Sequence, residues 1–296
     1  REAAVRAVQQ HVGDPLGLDA QAAADSILKV ATAQMSGAIR LVSIERGHEP
    51  GDFAAMPYGG AGALHACPIV ADLGLAAAIV PRYPGVISAL GCVIADLRHD
   101  VVHTVNVDLD ALDAEALRSR LAEDADRMRA LVEASSLPVE GIDVVVELDM
   151  SYVGQTHTVT VPFDPGTGLD PAAIRAGFDA TYEASYGRTL DGVSVRLLSV
   201  RTAAIGRRPA FDPSVLAPGP EASLDAATGE PREVWFDGTP TETATFERLL
   251  LPVGAEVAGP AVLEQPDATV VIDPGFTGVV DELGNLIVRQ DEQAAR

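Results

Sequence analysis

Four residues in one short stretch have the types and spacing to hold a ligand: Gly59, Gly60 and Gly62, followed at once by His65, in Tyr58-Gly59-Gly60-Ala61-Gly62-Ala63-Leu64-His65. Glycines lack the Cβ that would hold a ligand away from backbone N–H groups. A helix that starts directly behind them aims its free N–H groups and the positive end of its dipole at the same point. The chemistry such a turn supports is the cradling of a nucleotide's sugar or phosphate. Glycines also serve tight turns and close helix packing, so the cluster alone is not specific. His65 either faces such a ligand or caps the helix and packs. Pro84-Gly85-Val86-Ile87-Ser88-Ala89-Leu90-Gly91 follows as a second glycine-led, small-residue helix start.

Other chemistries find less support. His99 and His103 are spaced i and i+4, a metal-ligand spacing on a helix. The valines around them predict a strand, where that spacing sets the two side chains about 13 Å apart at about 3.3 Å per residue. No metal site is expected there. His157, near Tyr152 and Gln155, either lines an interface or sits on a solvated strand face. Cys67 and Cys92 lie among small and apolar residues with no CxxC spacing, which predicts buried, inert thiols in a reducing compartment. No Gly-x-Ser-x-Gly nucleophile elbow occurs, and the carboxylates are unpatterned, so no side chain is singled out as catalytic.

The elements that must position the glycines read as follows. A helix over Glu2–His11 stops at Gly13-Asp14-Pro15, and a long apolar helix runs from Ala20 to about Arg46 and is closed by Gly47. Phe53–Tyr58 is a short strand into the glycine turn, followed by a helix His65–Leu73, a strand Ala76–Val80 and a helix Val86–Asp96. A strand His99–Val107 comes next, then a helix from Asp110 to about Ala134, a hairpin of Val144–Tyr152 and Thr156–Val161, a helix from Pro171 to Tyr186 capped by Asp170, and a strand Ser194–Ala204. Short strands fill the remainder after a Pro- and Gly-rich segment. The expected division is an α/β domain at 1–103, an α+β domain at 104–206, a linker at 207–230 and a small β-rich domain at 231–296.

The 296 residues carry 43 acidic against 21 basic side chains, a net charge of -22 that opposes phosphate backbones and excludes a general nucleic-acid binder. Charged, proline or glycine residues interrupt each apolar run before the roughly 20 residues a membrane span needs, so no membrane partner is expected.

Phe53, Gly59-Gly60-Ala61-Gly62-Ala63-Leu64-His65-Ala66, Val80-Pro81, Pro84-Gly85-Val86, Ser88-Ala89-Leu90-Gly91 and Ala95-Asp96 resemble the C-terminal half of the hydantoinase A and 5-oxoprolinase family. Tyr152-Val153-Gly154-Gln155, Val161-Pro162, Tyr186-Gly187, Gly259-Pro260-Ala261-Val262-Leu263-Glu264-Gln265, Thr269, Pro274-Gly275 and Gly284-Asn285-Leu286 extend the resemblance in order along the chain. The family includes ATP-dependent lactam and hydantoin hydrolases and the acetone and acetophenone carboxylases.

The resemblance implies an α/β fold in which this chain is half of an actin- and sugar-kinase-like ATPase core, followed by an α+β domain and a β-rich domain. It implies that Gly59, Gly60, Gly62 and His65 bind the adenosine side of ATP. The family's Asp-x-Gly-Gly-Thr phosphate motif is absent from this sequence. The phosphates and Mg²⁺ would then be shared with a first lobe lying outside it, and the chain by itself would not hydrolyse ATP. A first-lobe portion of the same subunit, a hydantoinase B-like subunit and a small cyclic amide or ketone are the expected partners, in the cytoplasm. The alternative is a non-catalytic assembly module that docks partner subunits.

Overall fold

The computed structural model describes residues 2–167 and 169–292. The chain forms two compact units, one from residues 1–92 with 212–296, the other from Val93–Phe211.

In chain order, α1 (Glu2–Val8) passes through a π-helical turn, Gln9–Gly13, into α2 (Asp14–Leu16), and the run stops at Gly17 with φ +69°. The expected break at Gly13-Asp14-Pro15 does not occur. Pro15 sits at the start of α2, and Gln9 Nε2 ties the segment by donating to Asp14 Oδ1 (2.7 Å) and Leu18 O (3.0 Å). The long helix α3 (Ala20–Val42) is capped by Asp19, which accepts from Ala22 N at 2.8 Å. A 3₁₀ turn extends it to Arg46, and Gly47 closes it at φ +82°. By length and composition alone, Ala20–Arg46 is apolar enough to cross a bilayer, contrary to the sequence expectation. Three of its charges, Asp25, Lys29 and Arg40, are engaged in ion pairs, as described below.

The strand expected over Phe53–Tyr58 shrinks to β1 (Ala54–Ala55). After the glycine turn, a 3₁₀ turn Gly62–His65 leads into α4 (Ala66–Leu73), ended by Gly74 at φ +63°. β2 (Ala77–Val80) and α5 (Ile87–Ile94) follow. The next elements are β3 (Leu97–Asp108), α6 (Ala114–Glu133), β4 (Gly141–Tyr152), β5 (Val159–Phe163), α7 (Pro171–Tyr186) and β6 (Val195–Arg207). The chain continues through α8 (Leu224–Ala227), β7 (Arg232–Phe236), β8 (Thr239–Glu247), β9 (Glu256–Ala258), β10 (Ala261–Gln265), β11 (Ala268–Ile272), β12 (Phe276–Val280) and β13 (Leu286–Gln290).

The Val93–Phe211 unit is an antiparallel sheet in the order β3-β6-β4-β5. Alternation puts Val146, Leu148, Met150 and Tyr152 on the face that packs on Leu117 and Leu121 of α6 and Ile174 and Phe178 of α7. The other face carries paired polar side chains, such as Asp149 accepting from Ser199 (2.6 Å) and Thr160 (2.8 Å), as expected of an antiparallel sheet with one solvated side. The Tyr152-Val153-Gly154-Gln155 stretch staples this unit. The Tyr152 hydroxyl donates to Asp179 Oδ1 (3.0 Å) and accepts from Leu190 N (2.9 Å), and Gln155 Nε2 donates to Tyr182 Oη (3.0 Å). Burial pushes the Tyr152 phenol above its ordinary range.

In the other unit, a five-stranded sheet runs β1-β2-β13-β12-β9 and a four-stranded sheet runs β11-β10-β8-β7. β1 and β2 are parallel, and β13 pairs antiparallel with β2 through Leu286↔Val80, Ile287↔Ile79 and Val288↔Ala78. Residues 231–296 are therefore not a separate β-rich domain. β2 is a small-residue strand buried at Ala77, Ala78 and Val80, and a two-residue neighbour cannot cover it. β13 supplies the missing partner, and one core joins Ala63, Ala66, Cys67 and Val70 to Leu263, Ile272, Leu286 and Val288. The segment expected as a linker, 207–230, contributes α8 with buried Ala227 and a bridge from Thr228 to Phe246. The expected boundary near residue 103 falls inside β3.

Candidate functional site

The three glycines of the turn stand in three different surroundings. Gly59 adopts φ +80°, a conformation that L side chains rarely take, and a Cβ there would meet nothing within 4 Å. Its N–H donates to Pro84 O at 2.7 Å, which ties the turn to the loop before α5. A Cβ on Gly60 would lie 3.3 Å from Asp267 O, so that glycine lets the β10–β11 turn come close. Gly62 faces the Pro57 backbone, 3.5 Å from where a Cβ would be. Packing thus accounts for part of the glycine pattern, while the space beside Gly59 is open. Tyr58, Gly60 and Ala61 are exposed, and the turn runs directly into the helical segment Gly62–Leu73.

A buried polar network holds the second glycine loop against the first. Gly85 N donates to Asp267 Oδ2 (2.9 Å), and Gln265 Nε2 donates to Asp267 Oδ1 (2.5 Å) and Arg82 O (3.1 Å). Gln265 Oε1 accepts from Arg248 Nη1 at 2.6 Å, and Arg248 Nη2 reaches Val80 O (2.8 Å) and Pro81 O (2.7 Å). Burial pulls the Arg248 guanidinium down to about 10. Sequence reasoning missed Arg248 and Asp267. The only signal for them was Gln265, which closes the Gly259–Gln265 stretch of the family resemblance.

The structure does not bring His65 together with the three glycines. His65 Nδ1 lies 3.0 Å from Thr32 Oγ1 of α3, and the ring lines a groove of about 820 Å³ that none of Gly59, Gly60 and Gly62 lines. The groove runs between α3, α4, the β7–β8 hairpin and the segment from β11 to β12. Lys29 Nζ spans from Asp25 (2.9 Å) to Asp237 (3.0 Å) at the hairpin tip, and both carboxylates hold its pKa above the ordinary value. Arg40 of α3 pairs with Asp72 of α4 at 3.0 Å. The Asp72 carboxyl lies below its usual range, through the neighbouring Ser36 hydroxyl first and Arg40 second.

Asp273 is the outlier among these groups. Burial, aided by the Asp237 charge, raises its carboxyl to about 6. The folded state therefore binds a proton that the unfolded state has lost between about pH 4 and 6, and this contribution to stability falls as pH rises through that window. Asp273→Asn should flatten that part of the stability profile, as read by urea midpoints between pH 4 and 7. An unchanged slope would reject the assignment.

Cys67 is buried, and burial pushes its thiol up to about 12, so it is inert. Cys92 is exposed on α5, which corrects the expectation that both thiols are buried. His99 and His103 lie on β3 as expected, with His103 Nε2 2.8 Å from Asp124 of α6. His157 is exposed in the loop between β4 and β5.

Residues 1–101 match the hydantoinase/oxoprolinase profile, and residues 110–289 match the hydantoinase/oxoprolinase C-terminal domain. The chain belongs to the hydantoinase/oxoprolinase family. It is 31% identical over 287 residues to the uncharacterized protein MJ0964 of Methanocaldococcus jannaschii, covering 94% of this chain and 39% of that protein. It is 27% identical over 288 residues to caprolactamase subunit alpha of Pseudomonas jessenii, covering 95% of this chain and 41% of that subunit. The crystal structure of the ATP-dependent caprolactamase from Pseudomonas jessenii superposes with a TM-score of 0.70 at 25% identity, over 98% of this chain and 43% of that one. The chain thus spans about two fifths of the length of these relatives, and its mixed α/β fold is similar to that of the caprolactamase structure.

Proposed function

We propose that this chain is the C-terminal portion of a hydantoinase A-like subunit of an ATP-dependent amidohydrolase, or of a related ketone carboxylase, and that it contributes the adenosine side of the nucleotide site. The observation that carries this reading is Gly59: a positive-φ residue with open space beside it, at the head of a helical run. That is the cradle a Cβ would fill. Its likeness to a subunit of an ATP-dependent caprolactamase supports the same reading.

In this proposal the unit of residues 1–92 and 212–296 is half of an actin-like ATPase core. Gly59, Gly60 and Gly62 let the nucleoside approach the backbone, and His65, tied to Thr32, fixes the helical turn behind them. ATP, when bound, supplies the phosphoryl group that activates an amide or enolate oxygen. The phosphates and Mg²⁺ belong to a first lobe outside this sequence, which lacks Asp-x-Gly-Gly-Thr. A hydantoinase B-like subunit completes the assembly, in the cytoplasm, on a small cyclic amide or ketone.

The test is Gly59→Asp in the family-length polypeptide. Aspartate tolerates positive φ better than most residues, and its Cβ would enter open space, so the fold should hold while the charged side chain fills the space in which the nucleoside would approach the backbone. ATP affinity measured by calorimetry should fall at least about tenfold, or about 1.4 kcal/mol. Unchanged affinity would remove the nucleotide from this turn.

One observation favours the second reading, an assembly module without catalysis. α5 buries none of its residues and leaves Val93 64% exposed beside exposed Val86 and Ile94, an apolar patch of the kind that marks contact surfaces. A native assembly that forms normally but never retains nucleotide would support it.

A further inference from the structure

We infer that the open edge of β1 takes one further β-strand, an apolar one from the part of the family-length polypeptide that lies outside this sequence, and that α3 is the helix that covers it. The inference rests on the proposal that this chain is part of a longer subunit and not on the nucleotide reading, and ATP affinity enters none of its tests.

The edge comes first. In the order β1-β2-β13-β12-β9, β1 is terminal, and its partner among the described residues is β2. The sequence reads as a strand over Phe53–Tyr58, yet only Ala54 and Ala55 are paired. Sheets blunt a free edge with charges, proline or a bulge, because unpaired N–H and C=O groups there template another strand. Phe53-Ala54-Ala55-Met56 carries no charge and no proline, and Phe53 and Met56 are 49% and 56% exposed. A second neighbour would let β1 lengthen towards the expected span.

Beside this edge lies a groove of about 410 Å³, walled by Ile39 and Val42 of α3, Ile69 of α4, Ala54 and Ala55 of β1, and Leu75. No Asp, Glu, Lys or Arg lines it. Of its polar side chains, Ser43 donates its hydroxyl to Ile39 O within α3 (2.7 Å), and exposed His48 meets the Phe53 ring edge-on at 5.8 Å. The lining therefore suits an apolar occupant, and what it offers one is burial from water.

Spacing makes that occupant a strand. α4 packs on β2 and β13, and α3 packs on α4. Neighbouring helices stand about 8–10 Å apart and neighbouring strands about 4.7–4.9 Å, so one helix step spans about two strand steps. α3 therefore covers β1 and the position beyond it, and the groove shared by Ile39, Val42 and β1 fixes the direction of that step. Val42 is 57% exposed, and most of the apolar stretch of α3 is uncovered, because that position is open. The source follows from length and charge. The chain covers 39% and 41% of two relatives, so most of a family-length polypeptide lies elsewhere, and a strand on the same polypeptide meets the edge at high effective concentration. A second copy is disfavoured by a net charge of -22 on each chain and by an edge far smaller than the roughly 800 Å² per partner of a stable interface.

The experiment places the photo-crosslinker benzoylphenylalanine at Phe53, a half-exposed aromatic position, in the family-length protein. Mass spectrometry should find a cross-link within one polypeptide, to an apolar peptide from outside the 296 residues. A cross-link to another copy, cross-links confined to the 296 residues, or none overturns the inference. Amide exchange on the same protein tests the pairing itself. An open edge leaves some of its N–H groups to solvent, whereas a strand paired on both sides protects them all. The Ala54 and Ala55 amides should both exchange at least about a hundredfold slower than in the unfolded chain, and fast exchange at either rejects the added strand. Val42→Lys should lower the urea midpoint of the family-length protein as a core substitution does, although Val42 is half-exposed here. An unchanged midpoint would show that nothing covers this groove.

Discussion

Arg248→Met should cost the chain about 3–5 kcal/mol of stability, the range for removing one partner from a buried, charged hydrogen-bond network. Arg248 is 4% exposed and donates to Val80 O, Pro81 O, Arg82 O and Gln265 Oε1. Methionine matches the volume but leaves the carbonyls at the end of β2 without a donor, and each orphaned acceptor costs about 1–3 kcal/mol. Arg248→Lys should recover little, because one ammonium on a flexible stem cannot reproduce the planar fork that reaches carbonyls on consecutive residues. The folded guanidinium titrates only near pH 10, so the loss should be flat around neutrality. Urea unfolding at pH 6 and 8 checks both statements. Amide exchange adds a local readout: Gly59 N–H, bonded to Pro84 O, should lose protection in the variant because the loop that carries Pro84 is no longer held.

Arg248 also shows where sequence reading stops. Helix ends were legible because their causes are local: Asp170 caps α7 and Gly187 stops it, and Gly47 and Gly74 take the left-handed φ that ends their helices. The strand at β3 and the helices at α6 and α7 were equally plain. The place of the glycine turn, between a strand and a helix, was legible for the same reason. What could not be read is long-range. Val80 finds its strand partner in Leu286, more than 200 residues away, and no periodicity in either stretch points to the other. Without that pairing, residues 231–296 look like a separate domain. The groove beside His65 depends on the same distant pairing of elements, because the β7–β8 hairpin and Asp273 form its far side. Cys92 looked buried because Val93 and Ile94 follow it, but no residue of α5 is buried among the described residues. Pro15 looked like a break because a π turn is invisible to propensity.

A single methyl group at Gly85 should be nearly as damaging as the loss of Arg248. In Gly85→Ala the new Cβ would stand 2.5 Å from Asp267 O and 2.7 Å from Asp267 Cβ, distances at which backbone has to move. Overpacking of this kind costs about 1–3 kcal/mol. The displaced loop also weakens the Gly85 N to Asp267 Oδ2 bond, and a hydrogen bond to a charged acceptor is worth about 1.5–3 kcal/mol. The expected total is about 2–5 kcal/mol by urea unfolding. Gly59→Ala is the informative contrast. There the penalty is only the positive φ, about 1–2 kcal/mol, because nothing occupies the space its Cβ would enter. The proposed nucleotide site therefore makes a pattern across three variants of the family-length protein. Gly59→Asp should lose ATP with little loss of stability, Gly85→Ala should lose both, because Pro84 carries the displacement to Gly59, and Arg248→Met should follow Gly85→Ala. If Gly85→Ala unfolds at the wild-type midpoint, the Asp267 turn does not anchor the loop. If it is destabilised yet retains ATP at wild-type affinity, the loop's position does not matter to the nucleotide, and the glycines of this turn serve the fold alone.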